Sequence, residues 1–422
     1  MVPAVAGRSV VAVVCVVLLA AGWWLWRGAG SGENVPADPV ESFLARHWLK
    51  PLAAQGMPPA GFTDAEASLA PADCGQCHVE QLRDWRSSLH SHTMGNGMLW
   101  QARALSSDQV ARCLDCHAPL AEQKALLAQA LGWPEAPAAA APAYVPPDLH
   151  RQGLVCAACH VRAHVRYGPP PSAGKPAGDT PDLPHAGFRE TQAFQDSRFC
   201  ATCHQFPDDG PALNGKLLEN TYSEWRASRH AAEGRTCQSC HMPARRHLWR
   251  GIHDPDMVRQ ALTAVLSVTP AANGRLQVRA QIRNSGAGHY FPTYLVSSVR
   301  LRLVAENASG TQTRPLAEAL ITRDTDVWLT EERTDSRLAP DAERVLEADM
   351  QMPQEPGWRI ALHIDVAPRE HYERMFAAVL NDSGVQLDAV TRQMLAAALA
   401  EARASRYSLP VAQRNLPQTI AN

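Results

Sequence analysis

The sequence predicts an α+β fold, with a mostly helical first half followed by a small β-sandwich and a C-terminal helix. Three observations carry this reading. A short cysteine motif recurs five times between Cys74 and His241, with helical stretches between its copies. From about residue 256 apolar residues alternate with polar ones, the period of half-buried strands. Over 384–406 the spacing returns to that of a helix face, through Leu387, Val390, Met394 and Leu399. The 422 residues suggest two or three domains. With 40 basic and 42 acidic side chains and a formal net charge of −2, no polyelectrolyte signature marks nucleic acid as a partner.

In chain order, residues 9–26 form an uncharged apolar run between Arg8 and Arg27. As a helix it would be roughly 27 Å long, close to the ~30 Å bilayer core. Trp23, Trp24 and Trp26 cluster at one end like an interfacial belt. Residues 1–27 therefore read as a retained N-terminal transmembrane anchor; small residues at 28–31 offer a signal-peptidase site as the competing reading. Cys15, inside the run, reads as a small buried hydrophobe. Residues 28–72 read as a polar, Gly/Pro/Ala-rich tether.

Residues 73–255 carry all five motifs. Within them, 120–132 predicts a helix that Gly132 stops, with Pro134 just beyond. Thr221 and Glu224 have the spacing of a capping box opening the helix of Trp225 and His230. The Ala/Pro-rich 134–147 and Pro/Gly-rich 168–184 read as surface loops. Residues 256–367 predict the sandwich: Leu276, Val278, Ala280 and Ile282 alternate with polar residues, as do Val299, Leu301 and Leu303. Trp358, Ile360, Leu362, Ile364 and Val366 repeat the pattern. Residues 368–422 read as a helical segment.

The motifs are Cys74–Cys77–His78, Cys113–Cys116–His117, Cys156–Cys159–His160, Cys200–Cys203–His204 and Cys237–Cys240–His241. C-x-x-C-H is the attachment pattern of c-type haem: two thiols form thioethers and the next histidine ligates the iron. A zinc half-site or redox dithiol does not require histidine after every second cysteine. Here it follows five times in five, and ten of the 11 cysteines are consumed. Five covalent haems in so short a segment must pack against one another and form much of the core.

Each iron then needs a sixth ligand or keeps an open face. His90 and His230 occupy an internal repeat, Trp85-Arg-Ser-Ser-Leu-His90 and Trp225-Arg-Ala-Ser-Arg-His230. A helix over 78–90 would separate His78 and His90 by roughly 18 Å, so His90 must reach a neighbouring haem. His185 precedes the fourth motif, His253 follows the fifth, and His289 lies in the tight loop Gly286-Ala-Gly-His-Tyr-Phe-Pro292. These five are the expected distal ligands. His92, His164 and His247 stand in reserve. His47 reads as solvated, His363 as a surface residue, and His150 and His371 carry no special context. Met94, Met98 and Met242 are thioether candidates but ordinary packing residues by default.

At these residues the sequence resembles the multihaem c-type cytochromes: the tetrahaem cytochrome of nitrification, the ammonia-forming pentahaem nitrite reductases and the octahaem hydroxylamine and tetrathionate enzymes. The segments are CGQCH with its W-x-x-S-x-H, FCATCHQF, TYSEWRASRH with CQSCHMP, and NSGAGHYFPT, spanning roughly 73–295. The resemblance implies distal roles for His90, His185, His230 and His289. The C-x-x-C-K of the nitrite reductases is missing, so their enzymatic role is not carried over.

The expectation is thus an electron carrier with five bis-histidine haems, relaying electrons from a membrane quinol-oxidising donor, or other cytochromes, to a periplasmic acceptor. The chain would be held in the bacterial inner membrane by its N-terminal helix. The alternative is a multihaem reductase or oxidase of a small nitrogen or sulfur species at one open-face haem. The sandwich is expected to cap the haem domain, with partner docking as the other possibility.

Overall fold

Alternation of apolar side chains pairs strands whose one face is buried, and the second half of the chain folds on that principle. The computed structural model describes residues 38–171 and 183–416. The chain divides into two units, Met1–Phe43 and Leu44–Asn422. The described part of the first opens the helix Pro39–His47. The apolar run 9–26 lies outside the described residues; among those described, no helix is long and apolar enough to cross a membrane.

The motif-bearing region is made of short helices, two minor sheets and turns. β1 (Val161–Arg162), β2 (Val165–Gly168) and β3 (Arg189–Glu190) form a small sheet after the third motif. β4 (Ala212–Leu213) and β5 (Lys216–Leu217) form a hairpin after the fourth. The expected helix at 120–132 is Ala121–Leu131, and Gly132 ends it in the left-handed conformation at φ 67°. The expected capping box at Thr221 does not form. The helix Thr221–Arg226 starts without a side-chain cap, and the Glu224 carboxylate accepts instead from Tyr290 N–H (3.0 Å) and Thr293 Oγ1 (2.7 Å).

The tether expected at 28–72 also needs correction. Trp48, Leu52, Ala67 and Leu69 are buried with Trp85, Leu120, Leu149 and Val155 in one apolar cluster, so much of this segment is wall rather than spacer. Tyr144 and Val145, from the expected surface loop 134–147, join the same cluster.

The sandwich has two layers among the described residues. One sheet runs β10–β9–β8–β12–β13 and the other β11–β7–β6. Their ranges are β6 Leu262–Pro270, β7 Arg275–Asn284, β8 Ser298–Glu306, β9 Thr313–Thr325, β10 Glu332–Asp335, β11 Glu343–Gln351, β12 Arg359–Ala367 and β13 Tyr407–Asn415. Leu276, Val278, Ala280 and Ile282 of β7 meet Val299, Leu301 and Leu303 of β8 and Ile360, Leu362, Ile364 and Val366 of β12 in one core. The predicted α+β class holds. The expected helical tail is corrected, because after the helices Glu370–Asn381 and Ala389–Ala404 the chain returns as β13 beside β12. Pro410 sits on this edge strand opposite His363, where the register shifts; an edge and an irregularity are where a strand tolerates proline.

Candidate functional site

Cysteines at i and i+3 and a histidine at i+4 share one helix face. Four of the motifs lie on helices that end at their histidine: Ser107–His117, Cys156–His160, Arg198–His204 and Cys237–His241. The first follows the short helix Pro71–Cys74, and His78 N–H still reaches the Cys74 carbonyl at 2.9 Å. Each motif thus presents two thiols and an imidazole together. The ten cysteines of the motifs are all free.

The motifs open onto one cavity of about 3710 Å³, lined by all fifteen of their residues. Shared among five motifs, this is about 740 Å³ each, within the roughly 300–1,000 Å³ of a single ligand site. Thiols of different motifs touch: Cys74 hydrogen-bonds with Cys156, Cys116 with Cys203, and Cys200 with Cys237. The first and third motifs are therefore neighbours, as are the second and fourth, and the fourth and fifth.

The imidazoles show a common arrangement. His117 Nδ1 donates to Thr93 O (2.8 Å), His160 to Tyr167 O (2.8 Å) and His241 to Arg250 O (2.6 Å). The same bond orients His185 on Gly187 O, His247 on Arg245 O and His289 on Tyr290 O. A metal-binding histidine characteristically donates its other ring N–H in this way, leaving Nε2 basic and aimed. Burial pushes His160 and His289 down to about 4 and His90 to about 3, so these rings are neutral at pH 7 and able to ligate a metal.

Three pairs of rings then face one another. His90 and His204 lie with centroids 6.3 Å apart, His160 and His247 at 6.2 Å, and His241 and His289 at 6.3 Å. Two imidazoles with nitrogens about 2.0–2.1 Å from a shared metal have their ring centroids about 6 Å apart. Free thiol pairs, oriented neutral imidazoles, matched ring spacings and a cavity of this volume fit covalently attached haem.

Of the other expected distal residues, His185, His230 and His253 line the cavity without facing a motif histidine at this spacing. His185 lies near enough to His78 to sense its charge. His230 Nδ1 is 3.1 Å from Arg235 Nη1, and Arg369 is the charged neighbour of His253. His247, a reserve by sequence, is brought opposite His160; nothing in its local pattern distinguishes it, and a loop after the fifth motif delivers it. His47 is buried rather than solvated, with Nε2 on Cys159 O at 2.8 Å. His164 turns Nε2 to Gly56 O, and His363 pairs with Glu306. These three rings spend on protein the nitrogen an iron would need. Among the described residues, no imidazole is in ring contact with His117. Tyr294 and Tyr372 line the cavity with hydroxyls 3.4 Å apart, both close enough to Cys113 to sense its charge.

The fold is similar to that of the multihaem c-type cytochromes. The family described as cytochrome c554 and c-prime matches residues 73–132. A penta-heme cytochrome c552 from Thermochromatium tepidum superposes over 83% of this chain and 100% of its own, with TM-score 0.55 and 19% identity, a likeness of fold. A β-glucosidase, DesR, from Streptomyces venezuelae matches 26% of this chain and 13% of its own at 10% identity and TM-score 0.13, which carries no argument. No curated protein matches.

Proposed function

We propose that this protein is an electron carrier that relays single electrons through five closely packed c-type haems, one at each motif. The observation that carries the reading is the set of three facing imidazole pairs at 6.2–6.3 Å. Bound haem supplies a one-electron iron couple whose potential follows axial ligand, burial and nearby hydrogen bonds. The chain's own part is to fix His78, His117, His160, His204 and His241 as proximal ligands. His247, His90 and His289 oppose the third, fourth and fifth of these, and His185 is the candidate for the first. Two histidines on one iron leave no position for substrate. Contacts between thiols pair the first site with the third and join the second and fifth to the fourth, and the charge of Cys159 is felt at Cys200 and Cys203, which supports a route from first to third to fourth rather than one in chain order.

Haem is joined to C-x-x-C-H after export, which supports a periplasmic location, with residues 9–26 as inner-membrane anchor. The proposed partners are a quinol-oxidising membrane donor or another cytochrome, and a periplasmic acceptor. A second reading has its own observation: among the described residues His117 has no facing imidazole, and Tyr294 and Tyr372 lie beside its motif. That arrangement suits a reductase or oxidase with an open face at the second haem. EPR of the oxidised protein, with haem quantified per chain, separates the two. Five low-spin haems support the carrier. One high-spin haem in five, shifting with nitrite or hydroxylamine, supports the enzyme.

A further inference from the structure

We propose that Asp84 is a positioning residue for the third haem site, acting through the loop that delivers His247. The inference rests on the reading of His247 as the partner of His160. Asp84 lies on the helix Val79–Arg86, directly after the first motif, and its side chain is 3% exposed. The carboxylate accepts from Arg246 Nε at 2.5 Å and Nη2 at 2.6 Å, and from the His247 backbone N–H at 3.1 Å. Two parallel bonds from a guanidinium fix orientation as well as distance.

The loop held by this clamp needs outside support. Between His241 and Arg250 it takes left-handed backbone at Ala244 (φ 52°), Arg245 (61°) and Trp249 (41°), none of them glycine. It is tied at one end by Trp249 N–H to His241 O and at another point by Arg245 Nη2 to Pro170 O. Trp249 packs edge-on against both His247, at 5.1 Å, and His90, at 4.7 Å. The segment that leaves the fifth motif thus supplies the ring facing the third and buttresses the ring facing the fourth. Asp84, from the first motif's helix, sets its height over the cavity.

The test uses the intact, haem-loaded protein with Asp84→Asn and Arg246→Lys, each checked for five haems per chain, alongside His247→Ala. EPR and a potentiometric titration give the readout. The expected result is that both clamp variants move the third haem, by a shifted low-spin signal or conversion to high-spin and by a displaced midpoint potential, with any smaller change confined to the fourth, whose facing His90 packs on Trp249 of the same loop. Asp84→Glu, which keeps charge and both oxygens, should recover part of the native signal. If both clamp variants keep all five signals and potentials and only melt earlier, Asp84 is a structural staple and the proposal is overturned. If His247→Ala leaves all five haems low-spin, the pairing of His160 with His247 fails and the proposal falls with it.

Discussion

Glu224 and Arg337 meet at 3.3 Å with side chains 4% and 6% exposed, joining the helix after the fourth motif to the segment between β10 and β11. Glu224 also holds Tyr290 N–H and the Thr293 hydroxyl, and Arg337 reaches Thr293 O at 2.6 Å and Asp335. The loop that carries His289 is therefore pinned from both sides. Replacing Glu224 with Ala leaves the Tyr290 N–H without its acceptor, while Arg337 keeps Asp335, and an unsatisfied buried group costs about 1–3 kcal/mol. Denaturant unfolding followed in the Soret band should show that loss, and EPR should show the low-spin signal of the fifth haem weakened.

Histidines that present Nε2 to the cavity should behave differently from those that spend it on protein. His90→Ala and His289→Ala are each expected to convert one haem in five from low-spin to high-spin. His47→Gln and His164→Gln, whose native Nε2 atoms face Cys159 O and Gly56 O, are expected to leave the spin count unchanged. The same EPR measurement on all four variants checks this contrast.

Gly153 has φ 69°, and a Cβ there would lie 2.6 Å from the His90 carbonyl oxygen and 2.8 Å from Thr93 Oγ1. Gly153→Ala should cost about 1–2 kcal/mol from the left-handed backbone alone, with more from displacing the His90 turn. Thermal melting and the EPR signal of the fourth haem should change together.

Asp388 caps the helix Ala389–Ala404, accepting from Val390 and Thr391 N–H, and the Thr391 hydroxyl and N–H, with Arg103 nearby, hold its carboxyl down to about 2. Its folded value lies below the unfolded value of about 3.9. The stabilisation is therefore complete above about pH 4 and is lost as pH falls toward 2. Asp388→Asn should remove that acid sensitivity while keeping a cap, seen as convergence of the two proteins' melting temperatures between pH 4 and pH 2.

Much of the site was legible because its chemistry is local. Cysteines at i and i+3 with histidine at i+4 place three ligating groups on one helix face whatever surrounds them. Likewise, alternation at Leu276–Ile282 and Ile360–Val366 specifies a buried face, and Gly132 a helix end, from a few neighbouring residues. What stayed hidden depends on distant chain segments. His47 and His247 each sit in short basic stretches that read alike, yet one turns Nε2 to Cys159 O and the other is clamped by Asp84 opposite His160. Thr221 and Glu224 have the spacing of a cap, but a buried Arg337 and the Tyr290 amide compete for the carboxylate and win it. β13 escaped notice because Pro410 interrupts its pattern, and only the open edge of β12 makes it a strand. The sequence by itself determined which residues form the five motifs and that paired strands follow them. The tertiary structure decided which histidine faces which motif, because that depends on loops packed across the whole domain.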